Sequence, residues 1–295
     1  MKVLNIGSMN LDNVYSVDHV VQPGETEASY GMNVFLGGKG MNQSVALAKA
    51  GVEVYQGGMI GEDGQPFLDA CKEFGVNGKF IRQIPGKTGH AIIQIDKNAQ
   101  NCILLYGGAN QMLTEEYVDE LLAHFTAEDM LLLQNEVNML PYIVDKAYEK
   151  GMQIAINPSP FNEKLNDVDM SKIGLFLMNE VEGFQVTGET EPDAIIAKVQ
   201  ELYPHAKIVL TLGKDGAVYA DGDDKFFQPI FKVQAVDTTA AGDTFTGYFI
   251  AGLASGMPIP EVLRMSAKAS SIAVSREGAV PSIPYREEVE RALAE

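Results

Sequence analysis

Residues 131–156 read Leu131-Leu132-Leu133-Gln134-Asn135-Glu136-Val137-Asn138-Met139-Leu140-Pro141-Tyr142-Ile143-Val144-Asp145-Lys146-Ala147-Tyr148-Glu149-Lys150-Gly151-Met152-Gln153-Ile154-Ala155-Ile156. A compact apolar run, 131–133, is followed by a helical pattern opening near Pro141 and by a second apolar run, 154–156. Short runs apolar at every position suit strands buried on both faces of a parallel sheet, and proline suits a first helical turn. The same alternation continues with apolar runs at 175–178 and 208–212 and helical patterns opening near Thr114 and Pro192. Two further helices are expected at about 260–275 and 285–294. Alternation of this kind predicts an α/β domain, a mostly parallel sheet flanked by helices on both faces with right-handed crossovers.

Two stretches break the rhythm. Residues 13–36 and 88–107 carry alternating strand patterns and turn signals with no helix between them. Consecutive strands without crossovers do not join a parallel sheet readily, so they read as a small projecting β-sheet, a lid that excludes water. An antiparallel extension of the main sheet is the alternative. The division is then 1–12, 37–87 and 108–295 for the α/β body, and 13–36 with 88–107 for the lid. Its open apolar face (Val34, Phe35, Ile92) predicts a homodimer through the lid.

Hydrophobic content of 46% and charged content of 21% are those of a globular protein with a substantial core. The formal net charge of −18 argues against nucleic acid or an anionic membrane as partner. An anionic ligand would need local positive features: a helix N-terminus, a lysine or a divalent cation. Cys71 and Cys102 have neither metal nor redox spacing, no signal peptide is evident, and no apolar run reaches membrane-spanning length. A cytoplasmic setting is expected.

The chemistry concentrates in two glycine-bearing motifs. Asp237-Thr238-Thr239-Ala240-Ala241-Gly242-Asp243 precedes an apolar helical run and reads as a turn opening a helix near Gly242. The first N–H groups of such a helix, with its dipole, form an anion site. Asp243 would place a carboxylate beside an anion bound there, the combination phosphoryl transfer to an alcohol requires. Alone, the stretch fits a plain helix cap equally well. The second motif, Gly37-Gly38-Lys39-Gly40-Met41-Asn42, reads as a glycine loop that lets backbone approach a ligand, followed by a helix over 43–50. Alone, it fits a hairpin turn with an exposed lysine.

Together, in this order and about 200 residues apart, the two motifs resemble the signatures of the ribokinase-like (PfkB) family of carbohydrate kinases. The resemblance runs from Gly7-Ser8-Met9-Asn10-Leu11-Asp12 to Pro281-Ser282-Ile283-Pro284. Ala240-Ala241-Gly242-Asp243 is similar to the ribose-specific branch, where most members have Gly-Ala-Gly-Asp. The resemblance implies ATP-dependent phosphorylation of a sugar's primary hydroxyl. Asp243 would be the general base, and the amides of Ala240, Ala241, Gly242 and Asp243 the anion hole. Sugar contacts would come from Asn10, Asp12, Gly38, Lys39, Gly40, Asn42 and Glu136, together with Asp243. Carboxylates and amides on strand ends suit a polyol. Asn10, where deoxyribose-specific relatives carry methionine, points to D-ribose.

Nucleotide contacts are implied at Asn179, Thr211, Gly213, Lys214, Gly216, Gly242 and Ala267. Asn179-Glu180-Val181-Glu182 resembles the family's Asn-x-x-Glu motif, which implies Mg²⁺ held through water by Asn179 and Glu182; as a bare string it also reads as an acidic helix start. Asp237, Thr239, Ala273, Arg276, Gly278 and Ser282 match positions for an activating K⁺. Met41 stands where the family usually has alanine beside the sugar loop, an exchange expected to reshape the pocket. Met178 replaces a usual proline and Ala267 a usual His or Asn near the adenine. Another sugar (deoxyribose, fructose, a keto-deoxy acid) or a nucleoside remains an alternative substrate, and a non-catalytic sugar-binding regulator the alternative class. Gly86-Lys87-Thr88 lacks the first glycine of a phosphate loop. Asn42-Gln43-Ser44 is a formal glycosylation sequon, and His19, His90, His124 and His205 show no metal spacing.

Overall fold

A computed structural model describes residues 1–98 and 100–295. Thirteen strands and nine α-helices follow in chain order among the described residues. The first half holds β1 (Val3–Ile6), β2 (Asn10–Val17), β3 (Gly31–Gly37), α1 (Lys39–Lys49), β4 (Val54–Ile60), α2 (Gln65–Phe74), β5 (Asn77–Gln83), β6 (Gly89–Asp96), β7 (Asn101–Tyr106), α3 (Glu115–Leu122), β8 (Met130–Gln134) and α4 (Leu140–Glu149). The second holds β9 (Gln153–Asn157), β10 (Leu175–Asn179), α5 (Glu180–Thr187), α6 (Pro192–Leu202), β11 (Lys207–Thr211), β12 (Ala217–Asp221), β13 (Asp224–Gln228), α7 (Ala241–Ala254), α8 (Ile259–Ala273) and α9 (Arg286–Ala294).

Nine strands form one sheet in the order β13-β12-β11-β10-β9-β8-β1-β4-β5. It is parallel from β11 to β5, with β12 and β13 as an antiparallel edge. Alternation along each strand feeds two cores. Leu131, Leu133, Ile154, Ile156 and Phe176 pack with α3, α4 and α6 on one face. Leu132, Ala155, Leu175 and Leu177 pack with α1, α2, α7 and α8 on the other. The runs in 131–212 are apolar at every position because both faces are covered.

The remaining four strands form a separate sheet, β3-β2-β6-β7. The small sheet expected from 13–36 and 88–107 is therefore present as a second layer. Its β2 begins at Asn10 and its β3 ends at Gly37. Asn10 and Asp12 thus belong to the small sheet rather than to the α/β body, where the sequence reading put them.

Registers fix the faces of that sheet. Val34 lies opposite Asn13, Asn13 opposite Ile92, and Ile92 opposite Leu104, one row across one face. Phe35 lies opposite Asp12, and so shares the other face with Ala91 and Leu105. The expected grouping of Val34, Phe35 and Ile92 on one face is corrected accordingly: neighbouring residues of a strand point to opposite sides. Both faces carry exposed apolar side chains, Val34 and Leu104 on one and Phe35 and Leu105 on the other.

A third correction concerns the glycine motif. Lys39, Gly40, Met41 and Asn42 are the first turn of α1, and the helix begins four residues before the expected 43. A Cβ at Gly40 would collide with the backbone of Gly7 and Ser8. Gly40 therefore lets a helix start rest directly on the chain leaving β1, which local sequence cannot reveal. Among the described residues no helix is long and apolar enough to cross a membrane.

Candidate active site

The two helix starts that converge at the C-terminal ends of the parallel strands differ in one chemical respect. At α1 the first amides are all engaged. Lys39 N donates to Glu136 Oε2 at 3.0 Å, Gly40 N to Ser8 Oγ at 3.3 Å, Met41 N to the Ser8 carbonyl at 2.9 Å and Asn42 N to the Gly38 carbonyl at 3.0 Å. At α7 the Ala241 amide reaches the Thr238 carbonyl at 3.3 Å and that of Thr244 the Ala240 carbonyl at 2.8 Å. The amides of Gly242 and Asp243 between them have no partner among the described residues. Unpartnered first-turn N–H groups carry the positive end of the helix dipole, so of the four amides expected to form an anion hole only that of Ala241 is engaged, and those of Ala240, Gly242 and Asp243 are left for it among the described residues.

Ala240, the residue before α7, adopts φ 58° and ψ 11°. This left-handed conformation costs a non-glycine residue about 1–2 kcal/mol, and such strain gathers at functional turns. Gly242 is the converse case. Beyond its chain neighbours and its own helix backbone, a Cβ there would meet no atom of the described residues within 4 Å, and its φ is not positive. Nothing in the protein itself calls for glycine at that point of a helix.

The Asp243 carboxylate is 7% exposed and held at both oxygens: Asn42 Nδ2 donates to Oδ2 at 2.9 Å, and Gln43 Nε2 to Oδ1 at 2.8 Å. Glu136 follows β8 and accepts from Ser8 Oγ as well as from Lys39 N. Burial raises the Glu136 carboxyl above its ordinary range in spite of Ser8 and the Lys39 cation. Burial, reinforced by the charge of Glu136, pushes Asp12 up to about 6. Burial pulls the Lys39 ammonium down, but the carboxylates of Asp243, Glu136 and Glu182 together outweigh it and hold it above its usual value. Asn10 is 5% exposed and its Oδ1 accepts from Asn110 Nδ2 at 2.8 Å. Asn110 in turn bonds the Met9 backbone at both ends of its amide, which fixes Asn10 with Nδ2 as its free donor. Asp12 lies over Gly37, and Gly38 is tight against the Asn10 amide.

Two cavities flank the start of α7. One, of about 220 Å³, is lined by Lys39, Asn157, Asn179, Glu182, Gly242 and Asp243 among others. The second, of about 910 Å³, is lined by all seven residues expected to contact nucleotide: Asn179, Thr211, Gly213, Lys214, Gly216, Gly242 and Ala267. Asn179, Thr211, Thr238, Ala241, Gly242 and Phe245 border both, so the unpartnered Gly242 amide stands where the two meet. Two lysines, Lys214 and Lys232, line the larger cavity, supplying the local positive charge that an anion needs against the net charge of −18.

Asn179 caps α5. Its side chain accepts from Glu182 N at 2.9 Å while Glu182 Oε2 accepts from Asn179 N at 3.0 Å. Asn157 Nδ2 also donates to Oε2 at 3.1 Å, leaving Oε1 of this buried carboxylate for the cleft. The acidic helix start and the proposed metal motif are thus one arrangement.

Asp237 draws together the loops named for a monovalent cation. Its Oδ1 accepts from Thr239 N at 2.9 Å and Thr239 Oγ1 at 2.6 Å, and its Oδ2 from Gly278 N at 3.0 Å. Burial acts upward on Asp237, but those bonds hold it below the usual carboxylate range. Ser282 is buried beside the Ala279 carbonyl, and Ala273 is bonded through its carbonyl to Arg276 N. The Arg276 guanidinium pairs with Glu288 at 2.8 Å, so only its backbone is available to a cation.

Of the departures from the family pattern, Met178 and Ala267 line the cavities. Met41 does not: it is fully buried in the core with Val45 and Phe249. The expectation that it reshapes the sugar pocket is corrected, because α1 already turns at residue 41 and points its side chain inward. Ser8, Gln43, Asn110, Asn157 and Lys232 hold or line the candidate site and were not singled out from the sequence. Gln43 alone had a local signal, since residues 39, 42 and 43 share one face once 39 begins a helix.

The description pfkB family carbohydrate kinase fits residues 1–286 of the chain. The chain belongs to that family. It is 35% identical over 294 residues to ribokinase of Haemophilus influenzae, covering 96% of this chain and 95% of that one. It is 28% identical to deoxyribokinase of Salmonella typhi, covering 100% and 99%. Among solved structures, Arabidopsis thaliana ribokinase complexed with ribose and ATP superposes with a TM-score of 0.88 at 28% identity, covering 99% and 98%. The chain is accordingly an ATP-dependent sugar kinase, with the nine-stranded sheet and second small sheet of this fold.

Proposed function

We propose that this kinase transfers the γ-phosphoryl group of ATP to the primary hydroxyl of D-ribose, giving D-ribose 5-phosphate and ADP. The observation that carries the reading is the Asp243 carboxylate, fixed at both oxygens and one residue from the unpartnered Gly242 amide. Asp243 takes the proton as the hydroxyl oxygen attacks phosphorus and the bond to the ADP oxygen breaks. The Gly242 and Asp243 amides stabilise charge on the transferring group, each such donor contributing about 3–4 kcal/mol in the transition state. Asp12, Glu136, Asn10 and Lys39 offer acceptors and donors to sugar hydroxyls. The fixed Asn10 amide favours ribose over deoxyribose, because a missing hydroxyl leaves a buried donor unpaired.

The larger cavity takes ATP. Glu182 Oε1 and the Asn179 region suit Mg²⁺ bound through water; when present the ion neutralises charge on the phosphates. The Asp237 loop, with carbonyls of 273–278 and Ser282, suits K⁺ and sits next to the residues that shape the start of α7. The small sheet acts as a lid that carries Asp12 on its Phe35 face, and its Val34–Ile92–Leu104 face joins a second copy in a homodimer. The free thiols Cys71 and Cys102 suit the reducing cytoplasm. Asp243→Asn tests the mechanism: it folds and binds ribose, while turnover in an ADP-release assay falls roughly 100-fold or more. Near-normal turnover would remove Asp243 from the reaction, and preference for deoxyribose or fructose in a sugar panel would overturn ribose.

A further inference from the structure

We infer that Gln43 is a positioning residue for Asp243, and that a chain of buried amides running in from β1 and β8 dictates which end of Gln43 faces the carboxylate. The inference rests on Asp243 being the general base.

Amide orientation is settled by following the chain from an atom whose role is unambiguous. The Gly40 carbonyl only accepts, so Asn5 must present Nδ2 to it, at 2.7 Å. Asn5 Oδ1 is then an acceptor, and Gln134 turns Nε2 toward it at 3.0 Å. The same Nε2 lies 2.7 Å from Gln43, which must offer Oε1. That leaves Gln43 Nε2 for Asp243 Oδ1. A side branch is fixed in the same way. Gln56 Nε2 donates to the carbonyls of Gly7 and Gly57 at 3.0 and 2.8 Å, so its Oε1 accepts from Ser44 Oγ at 2.6 Å. Ser44 is then left to accept from Asn5 Nδ2 at 2.8 Å. Asn5, Gln43, Ser44, Gln56 and Gln134 are all completely buried.

This direction has a cost. Gln134 Oε1 is left buried with no partner among the described residues, pressed against Gly7. Turning Gln134 over would set its oxygen against two others, Asn5 Oδ1 and Gln43 Oε1. An unpaired buried amide oxygen is unfavourable, and apolar side chains of similar volume would fill the region without it. The arrangement makes chemical sense through its last link, an N–H that cannot rotate away from Asp243. With Asn42 on the other oxygen, the carboxylate is locked in one plane, and Oδ2 keeps a lone-pair direction for the sugar hydroxyl. Loss of the Gln43 donor frees that plane and removes one of the two hydrogen bonds made to the carboxylate.

The test uses the full chain with ATP, magnesium and a ribose assay across pH. Gln43→Leu is expected to lower kcat roughly 10- to 100-fold, the size of one charge-assisted hydrogen bond. The ribose KM stays within about 3-fold, and the acid limb of the pH–rate profile moves to higher pH. Gln134→Leu, which touches neither substrate nor Asp243, moves the acid limb in the same direction by less. Gln43→Leu added to Asp243→Asn lowers turnover no further, because the two act as one unit. An unmoved acid limb and unchanged kcat in both leucine variants, with Asp243→Asn inactive, overturns this inference alone. So does an additive loss in the double variant, the mark of a merely structural role. An active Asp243→Asn overturns the assignment of the base instead. Should Gln43→Leu not fold, Gln43→Met reads the same quantities.

Discussion

A methyl group added at Gly242 meets no atom of the described residues within 4 Å beyond its chain neighbours and its own helix backbone, and the backbone there is not in the left-handed region. Gly242→Ala therefore introduces no clash in the protein, and it exchanges a residue poorly suited to a helix interior for the best. The helix-propensity difference is about 0.8–1 kcal/mol in a helix interior and less in a first turn, so stability should rise by up to about 1 kcal/mol. For a chain of this size that is an increase in Tm of roughly 1–3 °C. The effect on chemistry runs the other way. The methyl sits on the residue whose amide borders both cavities, so it holds the transferring phosphoryl group away from that N–H. Losing one such donor costs about 100- to 1,000-fold in kcat. Thermal unfolding and ADP release on the same preparation separate the two effects. A variant that is as active as the parent and slightly more stable would refute the reasoning, since the open space at Gly242 would then not receive the reacting group. A variant that loses stability would show that the first turn of α7 needs glycine for the fold.

The Asp12 carboxyl, raised from 3.8 to about 6 chiefly by burial, favours the folded state in its protonated form, a contribution present below about pH 4 and lost as pH rises through about 6, on the order of 3 kcal/mol at most. Asp12→Asn should therefore gain stability relative to the parent between pH 4 and pH 7; a difference that shrinks over that window in paired thermal melts would contradict the burial argument. Met41→Ala opens a cavity in the core and should destabilise by about 2–4 kcal/mol with the ribose KM within about 2-fold; a KM rise without loss of stability would return Met41 to the pocket. Val34→Glu with Leu104→Glu places like charges on one face of the small sheet and should leave a monomer by light scattering with Phe35 untouched; a dimer in that variant would place the subunit contact elsewhere.

Much of the fold was legible because its signals are local. The apolar runs in 131–212 announced a sheet covered on both faces, Thr114 and Pro192 marked helix starts that the structure keeps, and the two strand-only stretches announced a second sheet. Asp243 and Gly242 were legible too, since a small-residue turn before an apolar helix places amides and a carboxylate together whatever surrounds them. Tertiary structure decided the rest. Whether 39–42 is loop or helix depended on the backbone of Gly7 and Ser8, which the missing side chains of Gly7, Gly38 and Gly40 together allow to come close. Which face Phe35 occupies depended on its register with Asp12. That α1 engages its first amides while α7 leaves two free depended on Glu136 and Ser8, brought in from distant strands. Local periodicity encodes which residues form strands and helices, whereas the pairing of buried polar atoms is settled only when segments far apart in the chain meet, so the sequence pointed to the proposed reacting groups and the packing decided what holds them.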